Sequence, residues 1–291
     1  MHRAFSRWAF SLTALLTLAA ASCPAAHLAR PQQSPAQQSN DDESTYARRL
    51  LNEGVQAYKN GRIDQAIEAF KQAKDLDPAL INARLYLATA YASEYIPGAP
   101  SEENIRLGQL AIQEFQGALE RDPRNLPAID GIGSTLYNMA GMPFDVEKME
   151  ESKKYWRKHI EIRPDDPEPY YWIGVLDWSI AFRGNREMRE EYNKTAEETI
   201  NGADPMPPAL TTRNAQAYGP IIEDGIVSLQ KAVTLRNDYD DALAYLNLLY
   251  RQKADTEISP EARDHDIDVA NDLVDKVKTI KQRKLEPRNP Q

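Results

Sequence analysis

Apolar and polar positions divide the chain into three stretches. Trp8 to Ala21 is an uncharged apolar run, with His2, Arg3 and Arg7 before it and the small residues Ala19 to Ser22 at its end. Residues 24–43 are rich in Pro, Gln, Ser and Ala and carry no apolar period. From Ala47 onward small and apolar residues return at helical spacing. Leu50 and Gly54 come first, then Ala66, Phe70 and Ala73, and Asp77-Pro78 supplies a stop, because Pro cannot continue the hydrogen-bond ladder. This small–large–small order comes back along the chain with a basic period of 34 residues. That predicts repeated pairs of antiparallel helices, A and B, rather than one globular core.

The segment ARRLLNEGVQAYKNGRIDQAIEAFKQAKDLDP, from Ala47 to Pro78, closely resembles the tetratricopeptide (TPR) repeat. With Ala47 in the first place, Leu50 is fourth, Gly54 eighth, Ala66 twentieth, Phe70 twenty-fourth, Ala73 twenty-seventh and Pro78 thirty-second. Glu53 stands at the seventh place, where a Leu is usual, as suits an end unit with no preceding repeat to cover. The pattern recurs at Leu87, Ala88, Tyr91, Ala111, Phe115 and Ala118, and again at Ile132, Gly133, Ser152, Trp156 and His159. It continues through Tyr170, Ile173, Gly174, Gly225, Leu229 and Ala232, and ends in a degenerate unit at Leu243, Leu246, Asn247, Ala270, Val274 and Val277. The resemblance implies an all-α, TPR-like α-solenoid of antiparallel helix pairs over residues 45–284, with units at about 47–80, 81–125, 126–166, 167–239 and 240–284 and a tail at 285–291.

The eighth and twentieth places are 12 residues apart in the first unit but 23, 19, 51 and 23 apart in the next four. Every long insertion of repeats 2–5 therefore falls between helices A and B of one repeat, on one edge of a solenoid. Ser101, Asp145 and Ser259-Pro260 are placed to start lengthened B helices. The largest insertion, 182–220, predicts a helix of its own over about Arg186–Ile200, stopped by Asn201-Gly202 and followed by a rigid Asp204-Pro205-Met206-Pro207-Pro208 link. Two readings of this edge stand open. Its apolar residues fold onto the solenoid, or Tyr95, Ile96, Met142, Phe144, Met188 and Tyr192 form a partner-binding surface.

Composition changes the picture at the N-terminus. The basic start, a 14-residue apolar run too short to span a bilayer, and the small residues after it predict a signal peptide at 1–22, a flexible linker at 23–44 and export to the periplasm or cell envelope. Ala20-Ala21-Ser22-Cys23 also resembles the lipobox of bacterial lipoproteins, in which the Cys is diacylated and becomes the new N-terminus. Here Ala20 stands where Leu is usual, and Pro24 follows the Cys. Lipidation of Cys23, giving a membrane anchor, and ordinary cleavage nearby are both open. Either removes Arg3 and Arg7, taking the net charge from −9 to −11, which speaks against a nucleic-acid partner.

Candidate chemistry is sparse. A single Cys excludes an internal disulfide framework and a Cys-based zinc site. The sequence holds no Gly-rich phosphate loop, HExxH, EF-hand loop or Gly-x-Ser-x-Gly elbow. In the run Asp264-His265-Asp266-Ile267-Asp268 only i,i+3 and i,i+4 pairs share a helix face, so a solvated helix start is expected rather than a metal site. The basic stretch from Lys276 to Arg288 reads as a solvated helix end. No catalytic residue, cofactor or metal is expected.

What the TPR resemblance implies is protein or peptide binding on a concave groove lined by helix A. Its places here are Arg48, Leu51 and Val55; Asn82, Leu85 and Thr89; Asp130 and Ser134; Tyr171 and Val175; and Asp241, Ala244 and Leu248. The Lys/Asn clamp of chaperone-tail binders is missing, and Tyr171, Trp172 and Trp178 make the later half aromatic. The expected function is a non-catalytic interaction scaffold or assembly factor of the bacterial envelope. The alternative is an enzyme or small-ligand protein with a site built by 182–220. Palmitate labelling of wild type and Cys23→Ala tests the leader: label lost in the variant marks the anchor, and processed but unlabelled wild type marks ordinary cleavage.

Overall fold

The computed structural model describes residues 35–202 and 204–285, with side chains from Asp42 onward. The signal region, Cys23, the linker up to residue 34 and the tail beyond Leu285 lie outside the described residues. Contacts divide the chain into two units, Met1–Asn40 and Asp41–Gln291. Of the first unit only the helical stretch from Pro35 is described; the second contains the repeats.

The described residues form helices and loops. The helices are α1 (Pro35–Lys59), α2 (Ile63–Leu76), α3 (Ile81–Glu94), α4 (Glu102–Arg121), α5 (Leu126–Ala140), α6 (Val146–Ile162), α7 (Pro167–Asn193), α8 (Pro208–Leu235), α9 (Asp240–Ala254) and α10 (Pro260–Leu285). Odd-numbered helices are A and even-numbered helices are B. Each B helix packs on the next A helix, giving a TPR-like solenoid. Among A helices α3 packs on α5 and α7 on α9, whereas no two B helices pack closely among the described residues. The A helices therefore lie on the inner side of the stack.

Caps set the element ends. Ser101, Asn125 and Asp145 accept the backbone N–H three residues on, at the starts of α4, α5 and α6. Each accepts for one of the otherwise unsatisfied N–H groups of a first turn. α2 and α4 run out into Asp77-Pro78 and Asp122-Pro123.

The helix crossings depend on missing side chains. A Cβ on Gly54 would lie 2.5 Å from the Phe70 ring, one on Gly133 2.9 Å from the Trp156 ring, and one on Gly174 2.3 Å from Leu229 Cγ. In each case the eighth place of helix A leaves room for the twenty-fourth place of its own helix B. The large side chain also reaches the next hairpin: a Cβ on Gly131 of α5 would meet the ring of Phe115 from α4 at 2.3 Å.

Two expectations are corrected. The linker was expected to run through residue 44, but α1 begins at Pro35. Gln37, Gln38 and Glu43 favour helix, and the Ser44 hydroxyl donates to Asp77 Oδ2 at 3.0 Å, tying the early part of α1 to the end of α2. The separate helix expected over Arg186–Ile200 is instead the end of α7, which runs unbroken from Pro167 to Asn193. Its last turns pack on a lengthened α8, where Gly184 makes room for the Tyr218 ring; a Cβ there would stand 1.9 Å from it. The helix stops at Asn193 because that side chain bonds both N–H and C=O of Ile200, clamping the loop.

Gly174→Ala should cost about 1–3 kcal/mol by overpacking, more than the gain in helix propensity returns. Urea unfolding would show this as a lower midpoint at an unchanged slope.

Candidate partner-binding groove

The inner side of the later repeats carries a connected set of rings. Trp156 stacks on Trp172 at 5.6 Å, and Tyr137 and Tyr171 meet Trp172 edge-on at 5.3 and 5.5 Å. Tyr171 continues to Tyr239 at 5.1 Å and Tyr245 at 5.7 Å. Tyr245 meets Trp178 edge-on at 5.3 Å, and Trp178 stacks on Phe182 at 5.1 Å. Trp156 is buried, most of the row is half-buried, and Phe182 is 43% exposed. Burial raises the Tyr171 phenol pKa, with the charge of Asp241 adding to it, and pushes the Tyr245 phenol up to about 12. The edge-on contact of Tyr137 with Trp172 joins α5 to α7.

The expected groove residues divide by exposure. Arg48, Asn82 and Asp241 are exposed; Val55, Leu85, Thr89, Asp130, Ser134, Tyr171, Ala244 and Leu248 are half-buried. Leu51 and Val175 are corrections. Both are buried, Val175 at 1% exposure, because their positions turn into the core rather than the groove. Arg48 lines a shallow cleft of about 690 Å³ between α1 and α2, beside Arg49, Glu53 and Arg62. Tyr171, Trp172 and Trp178, expected in the groove, are joined there by Tyr245 and Phe182, which were not. Their signal was an aromatic at i+4 from Trp178 and one at the facing place of α9.

The inserted edge also splits. Ile96 and Met142 stand 65% and 72% exposed, and Met142 lies against Gly98 of the neighbouring loop. Asn104 holds the Ile96 loop through the N–H and C=O of Ile96 and the C=O of Ala99. Phe144 is half-buried under the Arg183 guanidinium. Met188 and Tyr192 are corrections as surface residues: Met188 is buried with Met206 and Leu210, and half-buried Tyr192 packs on that cluster.

Most polar groups of the 182–220 segment serve the segment itself and its neighbours. Buried Arg189 donates to Asn185, to the carbonyls of Asn201 and Asp204, and to Asp255 Oδ2 at 2.9 Å. Asn185 reaches the same carboxylate oxygen, and Asn214 of α8 donates to the Asp255 carbonyl. The segment thereby locks onto the end of α9. Farther along, His265 is exposed, while Asp266 is buried and paired with Lys253 at 3.4 Å. No group of three or more His, Cys, Asp or Glu side chains suited to a metal occurs among the described residues. In the basic C-terminal stretch, Lys284 pairs with Asp240 at 2.6 Å.

Two buried charge clusters lie between repeats three and four. His159 of α6, 3% exposed, has Nδ1 2.6 Å from Asp130 of α5 and Nε2 3.5 Å from Asp166, the cap of α7. Burial pulls the His159 pKa down, but the hydrogen bond and charge of Asp130, with Asp166, outweigh it and leave the pKa raised. Lys153 donates to Asp177 Oδ1 at 2.6 Å and pairs with Asp224 at 3.3 Å. Burial pushes Asp177 up to about 7 against the opposing pull of Lys153.

Helix pairs crossing at small residues, with one helix of each pair facing an open inner side, define a TPR-type helical solenoid. Residues 47–80 match the family model described as a tetratricopeptide repeat. A solved structure of MamA protein is similar at 15% identity and a TM-score of 0.53, covering 86% of this chain and 98% of that one. MamA from Desulfovibrio magneticus RS-1 gives 16% identity and 0.53, covering 84% and 98%. YrrB, described as a TPR protein with an unusual peptide-binding site, gives 13% and 0.50, covering 86% and 98%. At these identities the likeness is one of fold. No curated protein matches the chain significantly.

Lys153→Met should leave Asp177 buried without its counter-charge and cost about 3–5 kcal/mol at pH 7.5. The deficit should shrink at pH 5, where Asp177 takes up a proton; urea midpoints at the two pH values check this. For His159 the raised folded pKa means its stabilisation is complete below the ordinary value near 6.5 and is lost as pH rises through the folded value. His159→Gln should therefore flatten the fall in stability between pH 6 and 8.5.

Proposed function

We propose that this protein is a non-catalytic interaction scaffold or assembly factor of the bacterial cell envelope, holding a partner protein in the inner groove of its later repeats. The observation that carries the reading is the half-buried aromatic row from Tyr171 through Tyr245 and Trp178 to Phe182 on the inner helices α7 and α9. A core alone has no need to bring a Trp and a Phe to an open face. Such rings suit contact sites because they bury much area at little rotamer cost. The peptide-binding site named for YrrB, a protein of similar fold, supports the same class of ligand. The envelope location rests on the leader sequence, with Cys23 either lipidated or removed with it.

The test is affinity capture of the tagged full-length protein from cross-linked, solubilised envelope. One or a few envelope proteins should be enriched, and Trp178→Ala, checked for unchanged helicity, should reduce that enrichment about tenfold or more, as expected for an aromatic hot spot. Equal capture by both forms would remove the groove from the reading, and the absence of any enriched envelope protein would remove the scaffold.

A further inference from the structure

The charges around the aromatic row are uneven. Helix α5 contains no Lys or Arg, and its one charged residue is Asp130. On α7 the first cation is Arg183, which pairs with Glu187 at 2.5 Å. On α9 Lys253 is paired with Asp266, and Arg251 is bonded to Asn247 and to Asn271 of α10. Arg236, over the Tyr239 ring, is held by Glu168 at 2.9 Å. The cations near the row are thus engaged.

The acids differ. Asp241, in the first turn of α9, is exposed and forms no ion pair among the described residues. Asp241 and Tyr245 stand at i and i+4 on α9 and so share a helix face, and the Tyr245 ring meets that of Tyr171 at 5.7 Å. Asp130, on α5, keeps part of its surface open while its Oδ1 is held by His159. Among the described residues the later half of the groove therefore offers π faces and the Asp241 carboxylate, while the nearby cations are held by other partners. An extended segment suits this open face.

We propose that this half of the groove selects a basic segment of a protein partner, a Lys or Arg side chain settling on Asp241 and against the faces of Tyr171 and Tyr245, with an adjacent apolar or aromatic side chain packed on Trp178 and Phe182. The inference rests on the groove reading given above and adds the ligand's charge to it. A cation over an aromatic face is attracted by the ring quadrupole, and a neighbouring carboxylate adds to that attraction. An acidic segment would meet Asp241 with like charge, which is the stronger source of selectivity.

Selection of a randomised displayed-peptide library on the immobilised full-length protein tests the proposal. Wild type should enrich sequences with Lys or Arg next to an aromatic or aliphatic residue, and Asp241→Lys should lose that preference. A recovered peptide, labelled and titrated by fluorescence anisotropy, should bind Asp241→Asn about 3- to 10-fold more weakly, and wild type more weakly as salt rises. Asp241 is exposed, so both variants should stay folded with wild-type helicity, the melting temperature falling by about a few degrees at most because an acid in the first turn of α9 is lost. Enrichment of acidic or neutral sequences, or the same basic sequences on Asp241→Lys, overturns the charge assignment and leaves the groove. Enrichment that is absent, or equal on Trp178→Ala, overturns the groove as well.

Discussion

The fold depends on one steric constraint: where helix A crosses helix B in the first, third and fourth repeats, only helix B has room for a side chain. Gly54, Gly133 and Gly174 yield that space to Phe70, Trp156 and Leu229. The yielded space is filled at near-crystalline density, which leaves little slack for an added methyl. Because the same residue on helix B also reaches the following hairpin, each crossing fixes both a pair and its neighbour. The inner faces of the A helices take little part in these crossings, and there rings and carboxylates can be placed without loss of packing.

Residue spacing carried most of this information. A glycine or alanine twelve or more residues before another small residue, with a large one four further on, is legible because the geometry tolerates few substitutes. The misreadings have local causes. Repeat position points Leu51 and Val175 to the groove, but a helix of 3.6 residues per turn carries both round into the core. Met188 and Tyr192 do share a face, yet that face belongs to the end of α7 rather than to a new helix. The stop at Asn193 is made by a side chain clamping Ile200, seven residues away, and no short-range signal marks such a bond. The start of α1 is polar all round, so no apolar period announces it.

Polar chemistry was the least legible layer. His159 stands where the pattern asks for a small packed residue, and Asp177 and Lys153 look like ordinary helix-surface charges. Their meaning comes from partners 24 to 29 residues away that the solenoid brings alongside. Burying these charges is costly unless each meets its partner in good geometry, so they reward one register of α5, α6 and α7 over others. Asp130 belongs to both layers, facing the groove and holding the buried imidazole, so a ligand charge placed near it acts on the junction behind it.

Solenoids are commonly treated as chains of units coupled only to their neighbours through extended apolar contact. The hub formed by Arg189, Asn185, Asn214 and Asp255 adds to this a single point shared by α7, α8, the loop between them and the end of α9. Opening the last hairpin strands a buried guanidinium, so α7 to α10 should exchange their slowest amide hydrogens as one block. Fraying from the C-terminal side would then stop at the hub or consume two repeats together.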